Sequence, residues 1–386
     1  MTRKVSLAWP GVTARRMARS FLTEPGDRAT PADVATALCG VHAQILTAAE
    51  LSIGRRIRGA TRAEIQRALW DERSLVRTFG PRGTVHLVAT SDLPMWTGAL
   101  SALPSSVPRH PDPVRFTPEQ AEKVIGVIDA SLAGGPLTVD ELTLAIRERA
   151  GPWAVEETMD AFAVKWPRWR QLTSTAAHRG VLCFGPTRGR NVTYLSPRSW
   201  LPDFQPDAGD RAIRRLLVRY LFAYGPATPQ HFARWLAIPP RPAAELFEAS
   251  AGELEAVDLD GKPAWVVAGD TATPAQPHRG VRLLPYFDAF VVASQPRDRF
   301  FPGAAAMRAQ AGGQAGNYPV LLVDGVVGGV WHQRKAGRTL EITVEPIGRL
   351  TAKQRLQLDE EVDLVGRVME AVPTLTVGPV TVGPHA

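Results

Sequence analysis

Cysteine is nearly absent from this 386-residue chain, which contains only Cys39 and Cys183. The two lie in apolar stretches far apart in sequence and form no Cys-x-x-Cys pair. Buried thiols are therefore expected rather than a disulfide, a zinc site or an iron–sulfur cluster. The sequence predicts no metal site and no cofactor.

Long apolar runs are also missing. No stretch of about 18 uncharged apolar residues occurs, which argues against a membrane span. The N-terminal segment lacks the long apolar centre and the small-residue cleavage site of a secretory signal. A cytoplasmic protein is expected.

Lysine is scarce among the basic residues. Lys and Arg together number 45 against 38 Asp and Glu, giving a net charge of +7, yet only six are lysines, at positions 4, 123, 165, 262, 335 and 353. An excess of arginine suits a polyanionic partner, because guanidinium groups pair with phosphate in a fork and stack on bases. A GC-rich genome produces the same bias towards arginine, so the charge alone does not show that the partner is a nucleic acid.

Helix starts recur along the chain and indicate an internal repeat. A Gly-Pro turn, a Thr placed as N-cap and an amphipathic helix follow one another at 135–142 and again at 225–232, with a fainter copy at 29–34. These segments are interpreted as the second helices of three similar units.

Around each of these helices the sequence predicts further helices and then a β-hairpin. The first unit has predicted helices near 11–22 and after Thr30, Thr47 and Thr61, then strands 75–79 and 84–88. The second has predicted helices from Thr117 to about 133, after Thr138 and over 155–178, then strands 181–184 and 192–195. The third has predicted helices at 209–223, 228–237 and 241–250, then strands 254–257 and 264–267. Three helices and a hairpin are the winged-helix plan.

The C-terminal part changes character. Short strands are predicted at 319–323, 326–331 and 339–344, and a helix capped by Thr351 is predicted to run to about 371 before a Pro/Gly/Val tail. The predicted fold is therefore α+β, with three tandem winged-helix units and a small antiparallel β-barrel-like C-terminal part carrying a terminal helix. The predicted domain ranges are 1–105, 106–205, 206–275 and 276–386.

The tripeptide His42-Ala43-Gln44 lies between two predicted helices rather than inside either one. The upstream helix is weakened at Gly40, and Thr47 with Glu50 has the spacing of a capping box that would start the next helix. Side chains two residues apart in an extended connection project to the same side. An imidazole and a carboxamide placed together can orient and polarise a water molecule.

Four segments in this order resemble the bacterial winged-helix DNA glycosylases of the AlkZ and YcaQ type. The segments are 38–44, 77–86, 283–288 and 323–328 with Trp331. The resemblance implies a C-shaped molecule that encloses double-stranded DNA and excises alkylated bases. Members of that family carry a Gln-Φ-Gln or His-Φ-Gln catalytic motif, where Φ is apolar, and His42-Ala43-Gln44 is the His form.

The His form is more usual in enzymes that protect antibiotic producers from their own DNA-alkylating products, whereas the Gln form is associated with broader repair, including unhooking of interstrand crosslinks. The resemblance therefore favours self-resistance, in a monomer located in the bacterial cytoplasm and at the nucleoid when bound to DNA.

The chemistry expected of the motif is water-based hydrolysis. N7-alkylguanine and N3-alkyladenine carry a positive charge that weakens the glycosidic bond, so the enzyme mainly has to hold water and stabilise an oxocarbenium ion. We expect His42 to act as general base or water anchor and Gln44 to orient that water or hold the deoxyribose. No lysine lies near the motif for a Schiff base, which predicts a monofunctional enzyme.

Structural alternatives stand beside these roles. His42 could bond a backbone carbonyl at a helix end, Gln44 could cap a helix, and Asp288 could be either a hydrogen-bonded structural acid or a group facing the cationic sugar. The predicted DNA contacts are Arg82, Thr84, His86, Arg188, Arg190, Arg297, Arg299, Arg334, Lys335 and Arg338. For Arg82, Thr84 and His86 the alternative is a hairpin strand with alternate polar positions.

Two other functions remain open from sequence. Winged helices occur most often in transcriptional regulators, and fold does not settle function. A protein that binds lesions without catalysis is the second alternative. Three tandem units in one chain fit a monomeric clamp better than a dimeric regulator.

Overall fold

A computed structural model describes residues 5–103, 114–161 and 164–384 of the chain. It contains helices and strands in four sheets of three or five strands and one separate two-stranded hairpin. No helix in the described ranges is long and apolar enough to cross a membrane.

The first unit combines a short sheet with helices packed on it. Its elements in order are β1 (Ser6–Leu7), α1 (Trp9–Arg19), α2 (Pro31–Ala37), β2 (Val41–His42), α3 (Leu46–Gly54), α4 (Arg62–Trp70), β3 (Leu75–Phe79), β4 (Val85–Ala89) and α5 (Leu93–Ser101). The strands pair in the order β2-β4-β3, and all pairs are antiparallel. This confirms the predicted hairpin.

The second unit repeats the order of the first unit from α2 to β4, with one insertion. Its elements are α6 (Pro118–Leu132), β5 (Leu137–Thr138), α7 (Val139–Arg149), β6 (Glu157–Ala161), β7 (Val164–Pro167), α8 (Thr173–His178), β8 (Cys183–Arg188) and β9 (Asn191–Leu195). The sheet order is β5-β9-β8, matching the first unit, and β6 pairs with β7 as a separate hairpin.

The third unit takes its edge strand from the N-terminus. It contains α9 (Gly209–Tyr224), α10 (Pro229–Leu236), α11 (Pro240–Ala249), β10 (Leu254–Leu259) and β11 (Lys262–Val267). β1 pairs in parallel with β10, and Ala227 forms an isolated antiparallel bridge with Trp265. The order of elements in all three units agrees with the winged-helix plan.

The C-terminal part is built on one curled five-stranded sheet. Its elements are β12 (Val281–Leu284), α12 (Ala289–Ala293), α13 (Arg297–Phe300), α14 (Ala304–Ala309), β13 (Val320–Val323), β14 (Val326–Ala336), β15 (Thr339–Pro346), α15 (Ala352–Val368) and β16 (Val372–Val377). β12 to β15 are antiparallel neighbours, whereas β16 is parallel to β15. A parallel pair needs a crossover, and α15 supplies it.

Threonine caps set the starts of the repeated helices as predicted. Thr30, Thr138 and Thr228 each accept a hydrogen bond from the backbone amide three residues later, and each completes a capping box. Thr61 and Thr351 also cap their helices. The strand pairing shows that only two of the three helices capped by Thr30, Thr138 and Thr228 are equivalent. β5 precedes α7 and the Ala227 bridge precedes α10, as β2 precedes α3, so the helix capped by Thr30 corresponds to α6 and the copy expected at 29–34 is wrong.

Three local predictions were wrong. The helix expected over 155–178 is replaced by β6, β7, a 3₁₀ turn and the short α8, and Pro167 at the end of β7 explains why a continuous helix cannot form. The expected antiparallel C-terminal sheet contains one parallel pair, because part of the expected tail forms β16. α15 also ends earlier than expected, at Val368.

The capping box expected at Thr47 is also absent. α3 begins at Leu46 after Ile45, so Thr47 lies inside the helix. Glu50 is fully buried and accepts hydrogen bonds from Arg62 (2.5 Å) and Gln66 (3.0 Å) on α4 instead of reaching back to the start of α3. The helix break upstream of α3 is nevertheless real.

Candidate active site

The His42 motif lies where a short strand leaves the first sheet. Val41 and His42 form β2, which pairs with β4 so that His42 stands opposite His86. The Ala43 amide continues the pairing with a 2.7 Å hydrogen bond to the carbonyl of Val85. Gln44 follows in a bend before α3, so the motif is not helical.

His42 is held between two rings. Its imidazole stacks on Phe287 at 4.4 Å between centroids and meets the edge of His86 at 5.2 Å. The side chain is buried, and its Nδ1 makes no hydrogen bond within the described residues. Burial, with the nearby charge of Arg82, lowers the pKa of His42 to about 3. The imidazole is therefore neutral at physiological pH.

The segment that carries Phe287 is anchored by Asp288. This carboxylate is buried and accepts two hydrogen bonds from Arg56, at 2.8 and 2.9 Å, and one from the Ser52 hydroxyl at 2.7 Å. It also accepts the Phe290 amide, which caps α12. Of the two roles predicted for Asp288, the structure shows the hydrogen-bonded structural acid, because Arg56, Ser52 and the α12 cap occupy its oxygens.

A cavity of about 660 Å³ opens beside His42. We call it the His42 cavity, and it is bounded by the first unit, by α10 of the third unit and by the C-terminal part. Its lining residues are His42, Arg82, Thr84, His231, Arg234, Trp235, Phe287, Val292, Ala293, Gln295, Arg297, Gln310, Gly313, Gln314, Ala315 and Asn317. It has three arginines and no carboxylate among them.

Gln44 lines a different cavity, of about 560 Å³, between the first and second units. We call it the Gln44 cavity. Its lining residues are Gln44, Arg77, Phe79, Gly83, Val85, Thr138, Val139, Asp140, Trp166, Arg170, Thr173, Phe184, Arg190, Asn191, Val192 and Tyr194. The expectation that His42 and Gln44 face one place is thus not met, because the bend after Ala43 turns Gln44 away from the β2 strand.

The β3–β4 turn separates the two cavities. Arg82 has a φ of 62° in this turn and donates a 2.7 Å hydrogen bond to the Trp235 carbonyl on α10. Thr84 bonds the Pro81 carbonyl at 3.0 Å and lines the His42 cavity. His86 is buried and its Nδ1 lies 2.9 Å from the Thr84 carbonyl. Neighbouring side chains therefore cover the His86 ring, and its DNA contact stays a prediction.

The other predicted DNA contacts fall into two groups. Arg297 lines the His42 cavity and donates to the carbonyls of Val291 and Val292 at the end of α12, while Arg190 lines the Gln44 cavity. The remaining ones are exposed: Arg188, paired with Glu141 at 2.6 Å; Arg299, 3.6 Å from Asp260; Arg334, paired with Glu341 at 2.7 Å; Lys335; and Arg338.

Sequence reasoning missed several residues of the two cavities. Phe287 lies in a segment that the family resemblance already quoted, but its contact with His42 depends on a backbone φ of 53° that sequence does not reveal. Trp166 and Arg170 were assigned to a helix, whereas the structure stacks their side chains at 3.7 Å in the Gln44 cavity. Arg234 and His231 come from α10 of the third unit, which sequence spacing could not place near His42.

Comparison with known proteins decides the family. The family model described as "DNA glycosylase AlkZ-like" matches residues 35–368, which is most of the chain. The chain belongs to the AlkZ-like DNA glycosylases. It is therefore an enzyme that acts on DNA and hydrolyses N-glycosidic bonds.

The AlkZ-like assignment agrees with individual relatives. The chain is 32% identical over 349 residues to a protein of Streptomyces sahachiroi named interstrand DNA cross-link repair glycosylase, covering 84% of this chain and 87% of the relative. The solved structure of the Streptomyces sahachiroi DNA glycosylase AlkZ is similar to it with a TM-score of 0.81 and 27% identity, covering 97% of this chain and all of that one. The AlkZ-like fold thus extends over nearly the whole chain.

Proposed function

We propose that the chain hydrolyses the N-glycosidic bond of alkylated purines in double-stranded DNA, including N7-alkylguanine, N3-alkyladenine and bulky natural-product adducts, and leaves an abasic site. The observation that carries this proposal is the position of His42 at the end of β2 and of Gln44 in the bend that follows, each lining a cavity. Both cavities lie between units of the chain.

The two cavities support different roles for the two motif residues. A neutral imidazole can accept a hydrogen bond from water, so we assign His42 to holding the attacking water. Since Gln44 lines the other cavity, we assign its carboxamide to the deoxyribose rather than to the same water molecule. Because the pKa of His42 is so low, the imidazole does not retain the proton that the attacking water loses. That proton passes to solvent as the water adds to the oxocarbenium ion.

The Gln44 cavity has walls suited to a planar ligand. Trp166 is stacked with the Arg170 guanidinium at 3.7 Å, and Phe184 with that of Arg77 at 4.7 Å. Asp140 is exposed at the rim of the same cavity and is the one acidic residue that lines it. These aromatic and guanidinium planes suit stacking of a flat group such as a purine base, whereas the three arginines of the lining, Arg77, Arg170 and Arg190, do not select a positively charged one.

Neither cavity contains a lysine among its lining residues, which supports a monofunctional mechanism without a Schiff base. The Streptomyces relative's name supports crosslink unhooking as a further activity, and the His form of the motif supports self-resistance to a genotoxic natural product. We propose that the enzyme acts as a monomer, because one chain carries both cavities.

The test is direct. Duplex DNA with a single N7-methylguanine, an N7-guanine adduct of an intercalating natural product, or an N7 interstrand crosslink is incubated with the protein beside an unmodified duplex. We expect free modified base, an alkali-labile site on the lesion strand and no borohydride-trapped covalent complex. Tight binding without base release from any of the lesions would leave a lesion-binding protein and overturn the catalytic proposal.

A further inference from the structure

The His42 cavity carries more positive charge than water activation requires. Arg82, Arg234 and Arg297 line it together, and the lining contains no Asp or Glu. Such a cluster beside a reaction that generates a cationic sugar is unfavourable unless an anion neutralises it. The cavity therefore needs an anionic occupant when substrate is bound.

Arg297 lies close enough to Arg234 and Arg82 for their charges to affect it. Burial is the main cause that lowers the pKa of Arg297 to about 10, and the charges of Arg234 and Arg82 lower it further. Burial similarly lowers the pKa of His231, with Arg234 and Arg297 among the contributing charges. A bound phosphate would relieve this repulsion with charge-assisted hydrogen bonds.

The arginines differ in how their donors are used. Arg82 is oriented by its bond to the Trp235 carbonyl, and Arg297 by its bonds to the end of α12. Arg234 is exposed, and its guanidinium has no hydrogen bond or ion pair with any residue of the described ranges. The N–H groups of the Arg234 guanidinium remain available to bind a ligand.

We propose that the His42 cavity binds one phosphate of the DNA backbone next to the lesion, with Arg234 and Arg297 as its principal ligands and Arg82 as a fixed supporting charge. The inference rests on the proposed function in one respect, since it assigns the phosphate to the nucleotide whose base is released. Phosphate binding then positions the sugar at His42 and neutralises the cavity before the cation forms.

Binding to an abasic duplex tests this without any chemistry. A duplex with one tetrahydrofuran residue is prepared in versions that each replace a single phosphate around it by neutral methylphosphonate. We expect one position at which the replacement weakens binding by wild-type protein about tenfold, the scale of a charge-assisted hydrogen bond.

Arg234→Gln identifies the partner of that phosphate. The variant should bind the unmodified abasic duplex about tenfold more weakly, and the critical methylphosphonate should cause no further loss. Arg214→Gln is the matched control, because Arg214 is exposed on α9 outside both cavities. The loss of duplex affinity caused by Arg214→Gln should add to the loss caused by the methylphosphonate.

Additive effects of Arg234→Gln and every methylphosphonate would overturn the assignment. Saturable binding of millimolar inorganic phosphate at constant ionic strength, lost in Arg234→Gln while duplex affinity is unchanged, would instead show a free-anion site and also overturn it. Coupling without base release would contradict the proposed catalysis alone, whereas base release without coupling would contradict only the phosphate site.

Discussion

At the scale of single residues, the chemistry depends on keeping His42 uncharged. Stacking on Phe287, contact with His86 and burial remove the imidazole from water, and Arg82 adds a repelling charge. A protonated His42 would add a further positive charge to a cavity that already contains three arginines. The neutral form is therefore the one that can accept a hydrogen bond from water.

Base release should not depend on histidine protonation between about pH 5 and pH 8. The pKa values of His42 and His231 are lowered to about 3 and about 4, and that of the buried His86 is also lowered, in each case mainly by burial. Single-turnover rate constants, corrected for spontaneous depurination, should be flat over this range. A decline with an apparent pKa near the ordinary 6.5 would contradict a neutral His42.

The same shift makes the protein less stable in acid. His42 takes up a proton in the unfolded chain near pH 6.5 but in the folded chain only near pH 3, so its stabilising contribution is complete above 6.5 and declines as the pH falls. The loss is about 1.4 kcal/mol per pH unit for one such group. Urea unfolding between pH 7 and pH 5 should show a shallower decline in His42→Gln, and parallel declines in both proteins would contradict this.

Asp288 should be essential for stability rather than for chemistry. Asp288→Ala leaves the buried Arg56 cation without its carboxylate, and we expect a loss of about 3–5 kcal/mol in the free energy of unfolding. Asp359→Ala, at an exposed position of α15, is the control and should change stability little. If the Asp288→Ala protein were fully stable but had lost base release, the result would contradict this prediction and support a catalytic role for Asp288.

Some residues of the candidate site could be predicted from the sequence and others could not. His42 and Gln44 were identified from their position between helices and from a family motif, and both do line cavities. Their separation into two cavities could not be predicted, because it depends on one backbone bend. Arg234 and Trp166 were also not predicted as site residues, since they belong to elements far from His42 and Gln44 in sequence.

At the scale of secondary structure elements, local signals that involve neighbouring residues were read most accurately. Threonine caps and hairpin turns depend on contacts three or four residues apart, and they locate helix starts and hairpins correctly. The place of the Thr30 helix in the repeat depends on strand pairing across the unit and was predicted wrongly. The β6–β7 hairpin was missed because charged and aromatic residues there also suit a helix. β16 was missed because a strand paired in parallel across α15 has no local turn signal.

Helix packing between units depends on a glycine. A Cβ at Gly98 on α5 would lie 2.2 Å from the Asp207 carbonyl oxygen and 3.0 Å from the Ala212 side chain on α9. Gly98→Ala should therefore destabilise the protein by about 1–3 kcal/mol as the helices are forced apart.

Gly126 on α6 is the matched control for Gly98. A Cβ there would meet nothing within 4 Å, so Gly126→Ala should be neutral or stabilise by up to about 1 kcal/mol through helix propensity. Chemical denaturation of both variants measures the difference. Equal effects of the two substitutions would show that α5 and α9 do not approach as closely as the structure indicates.

At the scale of the whole molecule, the units share their interior. One apolar cluster joins residues of the first and second units, including Ile53 and Trp169, and another extends from Trp96 to Phe247. The buried Arg16 on α1 donates to the carbonyls of Gly225, Pro226 and Gln295. The domain ranges and the C-shaped enclosure of DNA stay predictions, but these contacts favour units that unfold together.

The central claim is that His42 and Gln44 perform the reaction while the rest of the molecule binds DNA. The most direct measurement is single-turnover release of N7-alkylguanine from a duplex by wild type, His42→Ala and Gln44→Ala, with affinity for undamaged duplex measured in parallel. Gln205→Ala, at an exposed position outside both cavities, is the control. We expect each motif variant to release base at least about 100-fold more slowly with nearly unchanged affinity. Unchanged release, or equal losses of binding and release, would contradict the account.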